Sequence, residues 1–168
     1  MNDHRFLTTP DTSAASRLFC MVRNGHAWLC NGHWIVRGDW ACLPWVPPLA
    51  EWERTASGFN PLSAGVRKGM LRFLETPRHP ALLERTNVIL DAPDEDHGMW
   101  VMQHEGELWA FDWRYAKPFR ALEWAVRPGE MLEGAQIWMH NEMIALMYPM
   151  RLMSNQAIAE DFLARLRG

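Results

Sequence analysis

Cys20, His26, Cys30 and His33 are side chains of the types that hold zinc, because thiolates and imidazoles suit that ion. Their spacing, C-x5-H-x3-C-x2-H, runs across two turn signals and is not the C-x3-H type of structural zinc knuckles. Side chains alternate along a strand, so His26 and Cys30 would share a face. The competing reading is a set of buried free cysteines and hairpin histidines, and the spacing favours it. A thiol nucleophile activated by His26 or His33 is the second chemistry these residues allow. No cysteine precedes a helix start, so the usual stabilisation of a thiolate is missing.

Carboxylates crowd in "LDAPDEDHG", beside His97. A calcium loop needs ligands at alternate positions and a closing glutamate, which this run lacks, so it reads as a solvated acidic turn. There is no phosphate-binding lysine loop, dinucleotide glycine fingerprint, serine elbow or zincin helix. The expectation is a protein that is not an enzyme and needs no cofactor.

Cationic side chains carry more information. Arg67, Lys68 and Arg72 stand against Glu75 alone between 61 and 75; Arg114, Lys117, Arg120 and Arg127 stand against Glu123 alone between 114 and 127. If both stretches are helices on one sheet, Arg67, Lys68, Arg72, Lys117 and Arg120 form a stripe fit for DNA phosphates. An ordinary solvated helix face is the alternative.

These groups need a scaffold. The 168 residues suit one domain with terminal appendages, and 48% hydrophobic content with ten tryptophans excludes a disordered chain. A net charge of -3 excludes a uniform basic coat. Fifteen arginines against two lysines fit phosphate recognition, or simply a GC-rich coding sequence. Three cysteines with no apolar leader point to a reducing, cytoplasmic location, and no window is long enough for a membrane span.

Residues 1–16 read as a flexible arm. Asn24-Gly25 and Asn31-Gly32 accept positive φ and predict a meander with strands near 17–23, 26–31 and 33–38. Prolines at 44, 47, 48 and 61 mark a connector. Asn60 and Pro61 predict the start of a helix whose stripe is Leu62, Val66, Met70, Leu71 and Leu74. "NVILDA" reads as a buried strand, and a hairpin follows across Glu105-Gly106. A second helix is expected over 114–126, with Pro118 in its first turn. Two strands around Asn141-Glu142 then lead to an amphipathic helix capped by Ser154, with Ile158, Phe162, Leu163 and Leu166 on its apolar face. The fold expected is α+β: a largely antiparallel sheet with two helices packed on one face, an N-terminal meander and a C-terminal helix. Its divisions are an arm to 16, one domain over 17–153, and the helix from 154.

The last third is more specific. Phe111, Asp112, Arg114 and Tyr115 lead a strand into a helix through Ala121-Leu122, and the chain then reaches Tyr148-Pro149-Met150-Arg151-Leu152. This resembles the C-terminal part of a bacterial DNA-polymerase sliding-clamp domain. There a strand of the type F-[ND]-x-R-Y enters a helix ending in A-L, and the subunit closes on M-P-[MV]-R-L. The resemblance covers about 45 residues. It implies a clamp-like fold, association with DNA, and a groove for replication-type partner peptides lined or flanked by Met147, Met150, Arg151 and Leu152. It also implies a homo-oligomer, since a clamp ring needs several domains and this chain supplies one at most. A clamp domain runs strand, helix, four strands, helix, three strands. Only three strands between the helices and two after them are legible here, and the meander and final helix have no counterpart. The alternative function is a small interaction protein, of mobile-element or phage type, that binds and inhibits a host protein through exposed tryptophans and its C-terminal helix. In either case Pro149 should end its strand, because it cannot donate to a ladder.

Overall fold

The computed structural model describes residues 17–41, 43, 49–90, 98–150, 159–161 and 163–164. In chain order the elements are β1 (Leu18–Arg23), β2 (His26–Cys30), β3 (Trp34–Arg37), β4 (Trp52–Thr55), β5 (Gly58–Pro61), α1 (Ala64–Leu74), β6 (Ala81–Leu82), β7 (Ile89–Leu90), β8 (Met99–His104), β9 (Glu107–Asp112), α2 (Trp113–Ala116), β10 (Glu123–Val126), β11 (Ala135–Met139) and β12 (Glu142–Met147). Residues 159–161 and 163–164 are helical. The fold is α+β, mostly antiparallel sheet with few helices. The described residues fall into two units, one within 1–77 and 142–146 and the other within 78–141 and 147–168, where a single domain over 17–153 had been expected.

In the first unit the strand order is β5-β4-β1-β2-β3-β12. The meander forms as its turns predict: Asn24 and Gly25 take φ of 52° and 78°, and Arg23 then faces His26 across the hairpin. At the next turn the Asn31 side-chain oxygen accepts the backbone N–H groups of His33 and Trp34 at 2.8 and 3.1 Å. Alternation places Leu18, Cys20, Leu29, Val36 and Trp52 on one face and Phe19, Met21, Trp28, Cys30 and Ile35 on the other. Most of these side chains are buried on both faces, which explains why β1 reads as a continuous apolar run.

The expected connector contains a second hairpin, β4–β5, turning at Ala56-Ser57 with Gly58 at a φ of 111°. This displaces the start of α1. Asn60 and Pro61 pair with Glu53 and Trp52, and Ser63 takes over as N-cap, its hydroxyl accepting the Val66 N–H at 3.3 Å. Of the predicted stripe only Met70 and Leu74 are buried.

The second unit holds β11-β10-β6 and, as a separate sheet, β7-β8-β9. Glu105 and Gly106 adopt φ of 46° and 86° and close β8–β9 as expected. One face of that sheet, with Leu90, Met99, Val101, Leu108 and Ala110, buries Val88, Ala159 and Leu163. The other face presents Trp100, Met102, Trp109 and Phe111, with Trp124 edge-on to Trp100 at 5.6 Å and tilted against Phe111 at 4.7 Å.

The second predicted helix does not form. α2 is a single turn, with the Asp112 carboxylate accepting the Arg114 N–H at 3.0 Å, and Lys117–Phe119 tighten into a 3-10 turn. Pro118 removes an N–H and crowds the carbonyl four residues back, so the helix cannot run on. Residues 123–126 become β10 instead, pairing with β11 on one side and β6 on the other. Two helices packed on one face are therefore replaced by α1 in the first unit and one turn in the second.

Candidate functional site

The cysteine and histidine candidates do not converge. Cys20 lies opposite Leu29 and Cys30 opposite Phe19, so the two thiols point to opposite faces of the sheet. Among the described residues no group of three His, Cys, Asp or Glu side chains could hold a metal ion. Burial, with the nearby Glu51 charge adding to it, pushes the Cys20 thiol up to about 11. Burial also raises Cys30, against the pull of the Gly32 N–H on its sulfur at 3.3 Å. Neither thiol is an activated nucleophile. His26 and His33 are exposed, and Cys42 lies outside the described residues, as does most of the acidic run.

Cys20 and His26 nevertheless contribute to one feature, a cleft of about 430 Å³ in the first unit. Val22, Leu29, Leu43, Leu49 and Trp52 make its walls, and Asp39 stands on its rim. Asp39 is fixed by Arg37, whose guanidinium donates to it twice at 2.7 and 2.9 Å and to Glu142 at 3.0 Å. The Arg37 side chain is 8% exposed while its two partners are half exposed or more. The guanidinium hydrogen bond holds the Asp39 carboxyl below its ordinary range, and the two carboxylates raise Arg37.

The expected cationic stripe rests on two helices that do not both exist. Arg67, Lys68 and Arg72 lie on α1; Lys117 and Arg120 lie in the tight turn after α2, in the other unit. Lys68, Arg72, Lys117 and Arg120 are exposed, whereas Arg67 pairs with Glu51 at 3.3 Å. In the closing segment, β12 ends at Met147, before Pro149, as the proline requires. Beyond it the Met150 N–H donates to the Ala110 carbonyl of β9 at 2.7 Å, leaving the Met150 side chain 43% exposed. Met147 is buried core filling, not a groove wall. Arg151, Leu152 and Met153 lie outside the described residues.

One buried polar group carries no advance sign in the sequence. His79 is enclosed, its Nδ1 has no hydrogen-bond partner, and Glu133 stands 3.9 Å away. Its backbone N–H donates to Gln136 Oε1 at 2.8 Å. Burial pushes its imidazole below the ordinary value, with Glu133 pulling the other way.

The surfaces offered for an inhibitory partner are differently placed. Trp28, Trp34, Trp52, Trp100, Trp109 and Trp124 are buried, and no described tryptophan is exposed. Ala159 and Leu163 turn the C-terminal helix onto its own sheet. No helix among the described residues is long and apolar enough to cross a membrane. Comparison with protein-family models, curated proteins and solved structures gives no match.

Proposed function

We propose that this chain is a clamp-like, non-enzymatic protein of the cytoplasm that associates with DNA and docks short peptides of replication-type partners. The observation that carries this reading is the element order from β5 onward. It runs strand, α1, four strands (β6 to β9), α2, then three strands (β10 to β12). That is the order the clamp resemblance calls for. β6 and β10, which were not read from the sequence, bring the strand counts to four and three. The short α2 and the four strands β1 to β4 ahead of β5 are departures from the pattern.

The DNA contacts in this reading are Lys68 and Arg72 on α1, with Arg67 released from Glu51, and the exposed Lys117 and Arg120. For the peptide contacts, Met150 supplies an exposed, adaptable thioether at the edge of β9, with Arg151 and Leu152 following in sequence. Duplex-DNA affinity measured across a salt series tests the reading. Wild-type binding should weaken steeply with salt, and charge reversal at Lys68, Arg72, Lys117 and Arg120 should abolish it. Absence of any salt-sensitive affinity overturns the DNA role.

A further inference from the structure

The cleft of the first unit has an apolar floor and an acidic mouth, and it takes no part in the clamp-like reading. Its floor is a patch of sheet. Cys20 faces Leu29 across β1 and β2, Val22 faces Ala27 one step along, and Trp52 extends the first row from β4. Alternation puts these five side chains on one face. Val22 and Leu49 leave apolar surface open at the edge of the cleft.

Two local features bring carboxylates to the mouth. β4 pairs with β1 only as far as Cys20, and beyond it the Glu51 carboxylate accepts the Val22 N–H at 2.9 Å. On the other side the backbone of Gly38 packs on Ala27: a Cβ there would meet the Ala27 Cβ and carbonyl oxygen at 3.2 Å. Glycine permits that close approach, and the next residue, Asp39, lines the cleft. The volume of about 430 Å³ falls at the small end of ligand sites, which run from about 300 to 1,000 Å³.

Charge then selects the occupant. Among the described residues no arginine or lysine lines the cleft. Arg67 pairs with Glu51, and Arg37 divides its charge between Asp39 and Glu142. Three carboxylates thus share two guanidiniums, and one negative charge is left over. Arg23 lies on the opposite face of β1 from Val22, its guanidinium donating to the Leu74 carbonyl at 3.2 Å. Arg54 stands opposite Leu18, further from the hairpin turn than the cleft floor. The Asp39 side chain is half exposed, so lone pairs not taken by Arg37 face the solvent at the mouth. The enclosed Cys20 thiol, kept protonated by burial, adds no charge to the floor.

We propose that this cleft binds a small amphipathic cation, whose alkyl or aryl body lies on Val22, Leu29 and Trp52 while its ammonium group meets Asp39 at the mouth. An ammonium supplies both the charge that the mouth lacks and a charge-assisted hydrogen bond. A neutral apolar molecule of the same size forgoes that contact, and a carboxylate brings a further negative charge beside Asp39 and Glu51. These premises involve neither DNA nor the closing segment, so the DNA titration and the test below can fail separately.

The test is an NMR titration of the ¹⁵N-labelled full chain with hexylammonium, hexanol and hexanoate, three probes of one chain length that differ in charge. It is run at pH 8, where ordinary imidazoles are neutral, because His26 also lines the cleft. Saturable shifts should centre on the amides of Val22, Ala27, Leu29, Leu49 and Ala50. Hexylammonium should bind about five-fold more tightly than hexanol, with hexanoate the weakest. Asp39→Asn, which keeps an acceptor for Arg37, should bring hexylammonium to the hexanol affinity and leave hexanol unchanged. Leu49→Lys, at an exposed position, should weaken hexylammonium and strengthen hexanoate, and it decides the matter if Asp39→Asn does not fold. No saturable shifts, shifts centred elsewhere, an affinity order not led by the ammonium, or a preference that survives these variants would each overturn the inference.

Discussion

Truncating Leu163 to alanine tests whether the C-terminal helix belongs to the core or to a partner. Leu163 is 5% exposed and packs with Val88, Leu90, Met99, Val101, Leu108 and Ala110. Leucine-to-alanine changes in such sites cost about 2–5 kcal/mol, from the lost transfer of the side chain and the cavity left behind. The neighbours here are strand residues fixed by the β8–β9 ladder, which limits collapse, so a loss of about 3 kcal/mol is expected. With a urea slope of about 2 kcal/mol/M, the unfolding midpoint should fall by about 1.5 M. Tryptophan fluorescence reports it directly, since Trp100 and Trp109 sit on the same sheet. Ala164→Gln, at an exposed position of the same helix, is the control and should shift stability by under about 0.5 kcal/mol. If Leu163→Ala behaves like the control, the helix is not part of the core and its apolar face is open to a partner.

Three further outcomes follow from the buried polar groups. Asp39→Ala should cost more than Arg37→Met, about 2 kcal/mol against 1 or less, because it takes two of the three carboxylate hydrogen bonds from a buried guanidinium, leaving Glu142 alone, while the other change leaves two solvated carboxylates; the reverse ranking in urea titrations would contradict the Arg37 geometry. His79 is depressed in the folded state, so the neutral imidazole is the form that folding favours. Its contribution is complete above the unfolded value of about 6.5 and is lost as pH falls from there through the folded value. His79→Phe should remove that part of the slope between pH 7 and 5, and an unchanged slope in stability against pH would sink the assignment. Cys20, at about 11, should be about one-thousandth thiolate at pH 8, against about a quarter for an ordinary thiol. Peptide mapping after iodoacetamide should therefore find Cys20 alkylated at least about 100-fold more slowly than free cysteine. Rapid labelling would mean that the thiol is not enclosed.

The parts of the fold that were legible in the sequence are those set by local backbone chemistry. Asn24-Gly25 and Glu105-Gly106 turn where they should because both residues of each pair adopt positive φ, at little cost for glycine and asparagine. Pro149 ends β12 for an equally local reason. What escaped was decided by pairing at a distance. "ALEWAV" has the composition of a helix, yet Trp124 and Ala125 find partners in Ile137, Gln136 and Leu82, and the ladder prevails over propensity. Pro61 has the look of a first helical residue but is held by Trp52 in β5. Ser57-Gly58 was a readable turn signal, overshadowed by the prolines before it. The site was less legible still. Nothing in the spacing of Arg37, Asp39 and Glu142 shows that they share one fork, and nothing marks His79 as buried. Tryptophan abundance suggested exposed hot spots, whereas the aromatic faces build the cores of both units.

The claim that this chain meets DNA through Arg67, Lys68, Arg72, Lys117 and Arg120 is most directly tested by the dependence of duplex affinity on salt. Five phosphate contacts predict a slope of log K against log salt of up to about -4.5, falling by about 0.9 for each cation removed. A slope in the range of about -3 to -4.5 that steps down with each substitution is the result this account predicts. A flat line, or a slope indifferent to these five residues, would contradict it.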